Sequence, residues 1–230
     1  MMPTRAFEIV AESSVATIAR RGYAPMLVGH RVDLSDFFCC ASRQEFLVPH
    51  RHDLDSLCAA VRSAARLKYL FFWSHIPAHA AEVGKECLSQ WYAATFVIDG
   101  LQFPTAEHYM MFRKATLFGD NEAAERILQT QNPGAAKAIG RSVRGFEESI
   151  WQQHRVAIAV DGNYAKFSQS IPLRDFLLNT QERVLVEASP VDRIWGIGLA
   201  ANDPEVANPP KWRGLNLLGF ALMDVRERLR

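Results

Sequence analysis

Helix starts punctuate this chain more heavily than any other signal. Thr105 follows Pro104 and offers a side-chain oxygen to cap a helix. Asp120 does the same before Ala124, Ile127 and Leu128, and Asn132-Pro133 sets a cap and a proline at the first helical position. A long helix is expected from about Glu147 to a break at Asp161-Gly162. Pro172 opens another through Phe176 and Leu177, and Asn216 stands to cap a last one from Leu217 to Leu229. Strand signals are few and short. Tyr69-Leu70-Phe71-Phe72-Trp73 suits a buried strand, and Val184-Leu185-Val186 another. Asp99-Gly100 between Thr95-Phe96-Val97-Ile98 and Leu101-Gln102-Phe103 is a hairpin signal. Strands and helices do not alternate as βαβ units. The expected class is therefore α+β, a helix-rich single domain around a small, mostly antiparallel sheet.

All five tryptophans lie between Trp73 and Trp212, which divides the chain into an extension, residues 1–66, and a main domain, residues 67–230. Within the extension, Asp55 is expected to cap a helix that lines Leu57, Val61 and Ala65 along one face. Hydrophobic residues make up 49% of the 230, enough for a sizeable core. The net charge of +1 excludes a broad basic field for holding nucleic acid, though not a local anion pocket. No apolar run reaches the length of a membrane span, and Glu8 and Glu12 interrupt the N-terminal stretch, so a cytoplasmic protein without a signal peptide is expected. Cys39, Cys40, Cys58 and Cys87 form no CxxC pair and read as reduced thiols. His50 and His52 have no companion ligands near them, and Pro77 separates His75 from His79. No HExxH, GxSxG, GxGxxG or P-loop pattern occurs. No metal and no cofactor are expected.

Chemistry concentrates in a few segments. Residues 188–198 form an irregular stretch after an apolar strand, with an acid (Asp192), a cation (Arg193), an aromatic plate (Trp195) and two glycines, Gly196 and Gly198. Glycines let backbone amides approach a phosphate, and an indole stacks on a heterocycle; a turn-rich loop with a tryptophan anchor is the plainer account. Glu107 falls in the first turn after Thr105, where the helix dipole alone explains a carboxylate and favours its ionised form, the form a base needs. Lys114 lies two turns on along the same face, within reach of a substrate phosphate or simply on the surface. Trp151 and Arg155 are spaced i,i+4, either a stacked structural pair or a base plate with a phosphate clamp. Ser89-Gln90-Trp91, Lys166-Phe167 and Trp212-Arg213-Gly214-Leu215-Asn216 complete the set.

Taken in order, these segments resemble the NADAR family, the YbiA-like N-glycosidases, over about residues 70–229. The matching pieces run from Phe71-Phe72-Trp73 and Ser89-Gln90-Trp91 through Thr105-Ala106-Glu107-His108-Tyr109-Met110, Lys114-Ala115 and Gly140-Arg141. They continue with Trp151 and Arg155, Lys166 to Gln169, Glu187-Ala188-Ser189, Asp192 with Trp195-Gly196, and Trp212 to Gly219. The resemblance implies a metal-free enzyme that cleaves an N-glycosidic bond. It implies Glu107 as the essential glutamate, Trp151 as a pocket tryptophan, and Asp192 and Trp195 as the late acid and indole. Two substrate classes follow: phosphoribosylated pyrimidine intermediates of riboflavin synthesis, and ADP-ribose attached to guanine in DNA.

On this reading Glu107 activates water and Asp192 orients the ribose or the departing base. Trp151 and Trp195 hold the heterocycle, and Lys114, Arg155 and Lys166 are phosphate candidates. Trp91, Gly196 and Asn216 join the substrate-binding set. A lysine that attacks C1′ is a second route. A noncatalytic ADP-ribose or nucleotide reader is the alternative of a different class; it needs no acid in the site, and both Glu107 and Asp192 argue against it. The stretch Ile76 to Leu88 is expected to shape the pocket rim, and the role of residues 1–66 and the oligomeric state are left open by the sequence.

Overall fold

The structure, a computed structural model, describes residues 52–77 and 82–230. His50, His79, Cys39 and Cys40 lie outside the described residues. Among the described residues, seven α-helices and four strands run in the order α1 Leu54–Arg62, β1 Tyr69–Phe72, β2 Phe96–Ile98, β3 Leu101–Phe103, α2 Ala106–Leu117, α3 Asn121–Gln129, α4 Pro133–Arg141, α5 Glu148–Ser168, α6 Ile171–Asn179, β4 Val184–Glu187 and α7 Leu217–Leu229. Short 3-10 turns at Lys85–Leu88 and Pro209–Lys211 lie between them. The class is α+β, as expected.

The strands form two separate ladders rather than one mostly antiparallel sheet. β2 and β3 pair antiparallel through Asp99 and Gly100, both at positive φ (50° and 79°), as a tight two-residue hairpin requires. β1 pairs parallel with β4, Phe72 opposite Glu187. Short apolar segments so far apart in sequence carry no signal of which partner they will meet. Three of the helix starts form as read: Thr105 accepts from His108 N, Asp120 from Ala123 N and Asn132 from Ala135 N. Asp53, not Asp55, caps α1, because its side chain is the one that reaches Ser56 N. Asn216 precedes α7 with φ 55° and ψ 32°, and its side chain makes no capping bond.

The expected break at Asp161-Gly162 does not occur; α5 continues to Ser168. Gly162 is there for packing. A Cβ at that position would lie 2.5 Å from Tyr109 Cδ1, so its absence lets α2 come close. α5 is the spine of the fold, packed against both α2 and α7. One side of it, with Ala159, Val160 and Phe167, joins a core around β1, β4, α6 and α7. The other, with Trp151, Ile158 and Ala165, joins a core around the hairpin and α2 to α4. Trp195 packs against both cores. The Gln169 side chain ties the hairpin down, accepting from Val97 N (2.9 Å) and donating to Val97 O (2.7 Å). Among the described residues no helix is long and apolar enough to cross a membrane.

Candidate active site

Glu107 is the second residue of α2, and Thr105, the cap of that helix, is itself fixed by the His108 ring at 2.8 Å. The backbone N–H of Glu107 donates to Gln90 O (3.0 Å), so the Ser89–Trp91 segment seals the helix start. α5 holds that segment from behind. Lys166, fully buried, donates to Cys87 O (2.7 Å) and Ser89 O (2.8 Å), and Asn163 donates to the Gln90 side chain (2.9 Å). Trp91 is thereby held beside the helix start, where its side chain favours the ionised form of the Glu107 carboxylate. The Trp91 ring also lies 5.6 Å from the His75 ring and 5.8 Å from Lys137 Nζ.

The Glu107 side chain is 2% exposed, and its Oε1 has no hydrogen-bond partner. Burial pushes its pKa up to about 7; Lys137 and Trp91 pull against that, Asp192 adds to it, and Arg141 opposes it weakly. The helix dipole was expected to hold this group ionised. Loss of water outweighs it, since the penalty on a buried charge exceeds what one helix terminus returns.

The 188–198 segment comes in from the other side. Asp192 Oδ1 accepts from Ile194 N and Trp195 N, both at 2.8 Å, and Asp192 N donates to Ser189 Oγ. The start of α7 is stitched to this segment: Leu215 N, Asn216 N, Leu217 N and Leu218 N donate to the carbonyls of Arg193, Gly196, Ile194 and Trp195. Gly196 has a packing reason of its own, since a Cβ there would meet Glu187 O at 2.9 Å and Asp192 O at 3.0 Å. At the mouth of the segment stands Glu187, a carboxylate not picked out from the sequence as a site residue. Burial is the main force raising its pKa to about 8; Asp192 adds to that, Lys137 opposes it, and Glu107 adds a smaller push. Three carboxylates on three elements therefore share one neighbourhood with Lys137.

Residues 71–230 match the NADAR domain family. The chain belongs to the NADAR family. Among its relatives, N-glycosidase R617 of Acanthamoeba polyphaga mimivirus is 41% identical over 165 residues, 70% of this chain and 95% of that protein. N-glycosidase YbiA of Escherichia coli (strain K12) is 32% identical over 132 residues, 57% of this chain and 74% of YbiA. The NMR structure of E. coli YbiA matches with a TM-score of 0.55 at 27% identity, covering 70% of this chain and 84% of that one. This NADAR protein is accordingly an N-glycosidase, a hydrolase of N-glycosidic bonds.

The structure places the expected residues in several groups. Glu107, Trp91 and Asp192 come together. Lys166 does not serve as a phosphate clamp, because its ammonium is shut inside and spent on two carbonyls. Asn216 and Gly196 act on the protein's own backbone: Asn216 accepts from Glu187 N (3.0 Å) and donates to Leu185 O (2.9 Å). Lys114, Trp151 and Arg155 form a second group. Lys114 Nζ sits 4.0 Å from the Phe146 ring centre and 5.6 Å from that of Trp151, and Arg155 pairs with Glu148 at 3.7 Å while its Nε has no partner. Sequence reasoning missed Lys137 and Glu187 as site residues. One lies on an ordinary amphipathic helix and the other ends an apolar strand, so only tertiary placement brings them to Glu107.

Proposed function

We propose that this protein hydrolyses the bond between a phosphorylated ribose and a nitrogen heterocycle, of the kind found in phosphoribosyl aminopyrimidines, with Glu107 as the water-activating base. The observation that carries the reading is the unpartnered, water-excluded oxygen of Glu107 beside Trp91 and Lys137. A base whose pKa lies near neutrality combines a useful ionised fraction with real proton affinity. N-glycoside cleavage builds positive charge on the ribose, as O-glycoside cleavage does. The Glu107 and Asp192 carboxylates face that charge, and Asp192 orients the ribose hydroxyls. Lys137 and Arg141 take the phosphate role expected of Lys166, and Trp195 and Trp91 supply faces for the heterocycle. One relative, from Vibrio vulnificus, is named a riboflavin biosynthesis protein; it is 29% identical over 175 residues, and the match covers 42% of its length. That name supports the aminopyrimidine class.

A second reading, release of ADP-ribose from guanine in DNA, draws on the aromatic and cationic group of Lys114, Phe146, Trp151 and Arg155, which offers a longer substrate a further foothold. A product assay separates them. The protein and its Glu107→Gln variant are offered a phosphoribosyl aminopyrimidine and a guanine-ADP-ribosylated oligonucleotide. Release of ribose phosphate, falling by about 10²–10⁴-fold in the variant, is expected for a lost general base. Release of ADP-ribose alone supports the second reading, and near-normal turnover by the variant removes Glu107 from its role.

A further inference from the structure

The reaction as described uses Glu107 and Asp192 and leaves a third acid idle. Glu187 closes β4 at the end of the parallel ladder, and its backbone is held at both ends. Its N–H donates to Asn216 Oδ1 (3.0 Å), and its carbonyl accepts from Ser189 N (2.9 Å) and Ile197 N (3.0 Å). Its side chain is otherwise: Oε2 is cut off from solvent and has no hydrogen-bond partner. A buried acid oxygen left unsatisfied costs stability, and use by a ligand or a reaction is one reason for a fold to carry that cost. The charged groups that act on it come from three elements: Asp192 from the 188–198 segment, Lys137 from α4 and Glu107 from α2. Lys85 and Glu86 line a neighbouring cleft with Phe72 and Ala188, the strand partner and the next residue of Glu187.

We propose that Glu187 is the general acid of the reaction, giving its carboxyl proton to the departing heterocycle while Glu107 takes a proton from the attacking water. The inference rests on the role given to Glu107 above. The C1′–N bond breaks with its electron pair going to the heterocycle nitrogen, which the Glu187 proton neutralises. A C1′–O bond forms to water, whose proton passes to Glu107. Return of that proton from Glu107 to Glu187 resets the site, so each turnover consumes one water and no other reactant. Asp192 has a structural task already, its Oδ1 accepting from two loop N–H groups. The order of affinities agrees: burial lifts Glu187 to about 8 and Glu107 to about 7, so near neutrality the first keeps its proton while the second is partly ionised.

Leaving-group dependence tests this. Glu187→Gln keeps the shape of the side chain but has no acidic proton. Two substrates are compared, the ribose 5-phosphate N-glycoside of an aminopyrimidine and a p-nitrophenyl ribose 5-phosphate, whose leaving group departs without protonation. The variant is expected to lose about 100- to 1,000-fold in kcat on the first and little on the second. Wild-type protein provides a test independent of any variant: its rate on the aminopyrimidine falls as pH rises through about 8, where Glu187 gives up its proton, and the nitrophenyl rate does not. Equal slowing of both substrates in the variant, or an alkaline fall on both in the wild type, overturns the acid role while leaving the role of Glu107 standing. If Glu107→Gln turns over both substrates normally, the underlying assignment fails and the acid role fails with it.

Discussion

Glu107→Gln should make the fold more stable as it removes activity. The carboxyl is 2% exposed, and burial is the chief reason its pKa stands at about 7 rather than 4.5. Each pKa unit is worth about 1.4 kcal/mol, so holding the ionised group in place costs the native state about 3 kcal/mol well above neutrality. The sign follows from proton counts. Between pH 4.5 and about 7 the folded group keeps a proton that the unfolded one has lost, so stability is greatest at the acidic end and falls as pH rises through about 7. Glutamine has the same shape and never ionises. At pH 8 the variant should melt above wild type by about 6–12 °C, at 2–4 °C per kcal/mol for a protein of this size. Near pH 4.5 the two should converge. Scanning calorimetry across that range reads the difference directly. No gap at pH 8, or the same gap at both ends, would refute the claim that loss of water governs this carboxyl.

Two further changes probe the supports of the site. Lys166→Met strands two buried carbonyls, those of Cys87 and Ser89, and should cost about 3 kcal/mol in urea unfolding while loosening Trp91; an unchanged midpoint would deny the lysine its anchoring role. Asp120→Ala removes the cap of α3 together with the bonds from Arg144 N and Nη2, at about 2 kcal/mol near neutrality. The Arg144 side chain and the backbone N–H groups hold Asp120 at about 2, below its ordinary 3.8, so its contribution is complete above pH 3.8 and fades as pH falls toward 2. A variant-to-wild-type difference that persists undiminished at the acidic end would contradict this.

What was legible in the sequence was whatever short-range chemistry decides. Thr105, Asp120 and Asn132 cap their helices because a side-chain oxygen needs only the N–H three residues on. Asp99-Gly100 turns because both residues tolerate positive φ. The place of Glu107 in the first turn of its helix was legible, but its protonation was not, since the dipole is a local property and burial is not. Gly162 reads as a breaker until Tyr109 stands against it. Lys166 reads as a phosphate candidate until its ammonium is seen between two carbonyls. Glu187 was hidden for the same reason: its neighbours Glu107, Lys137 and Asp192 are brought to it by the pairing of β4 with β1 and the packing of α2 against α4.

That parallel pairing has a consequence for how the enzyme comes into being. Phe72 and Glu187 meet across more than a hundred intervening residues, a contact that no local turn can nucleate. Closing so long a loop costs entropy before the contact repays it, and contacts this distant in sequence slow folding. Glu107 stands on a helix built from local contacts, whereas Glu187 and Asp192 are brought to it by the pairing of β4 with β1 and by the contacts that tie α7 to the 188–198 segment. On the proposed assignment of Glu107, Asp192 and Glu187, hydrolysis belongs to the completed native state. A half-folded chain holds the same three carboxylates far apart, with no assembled centre.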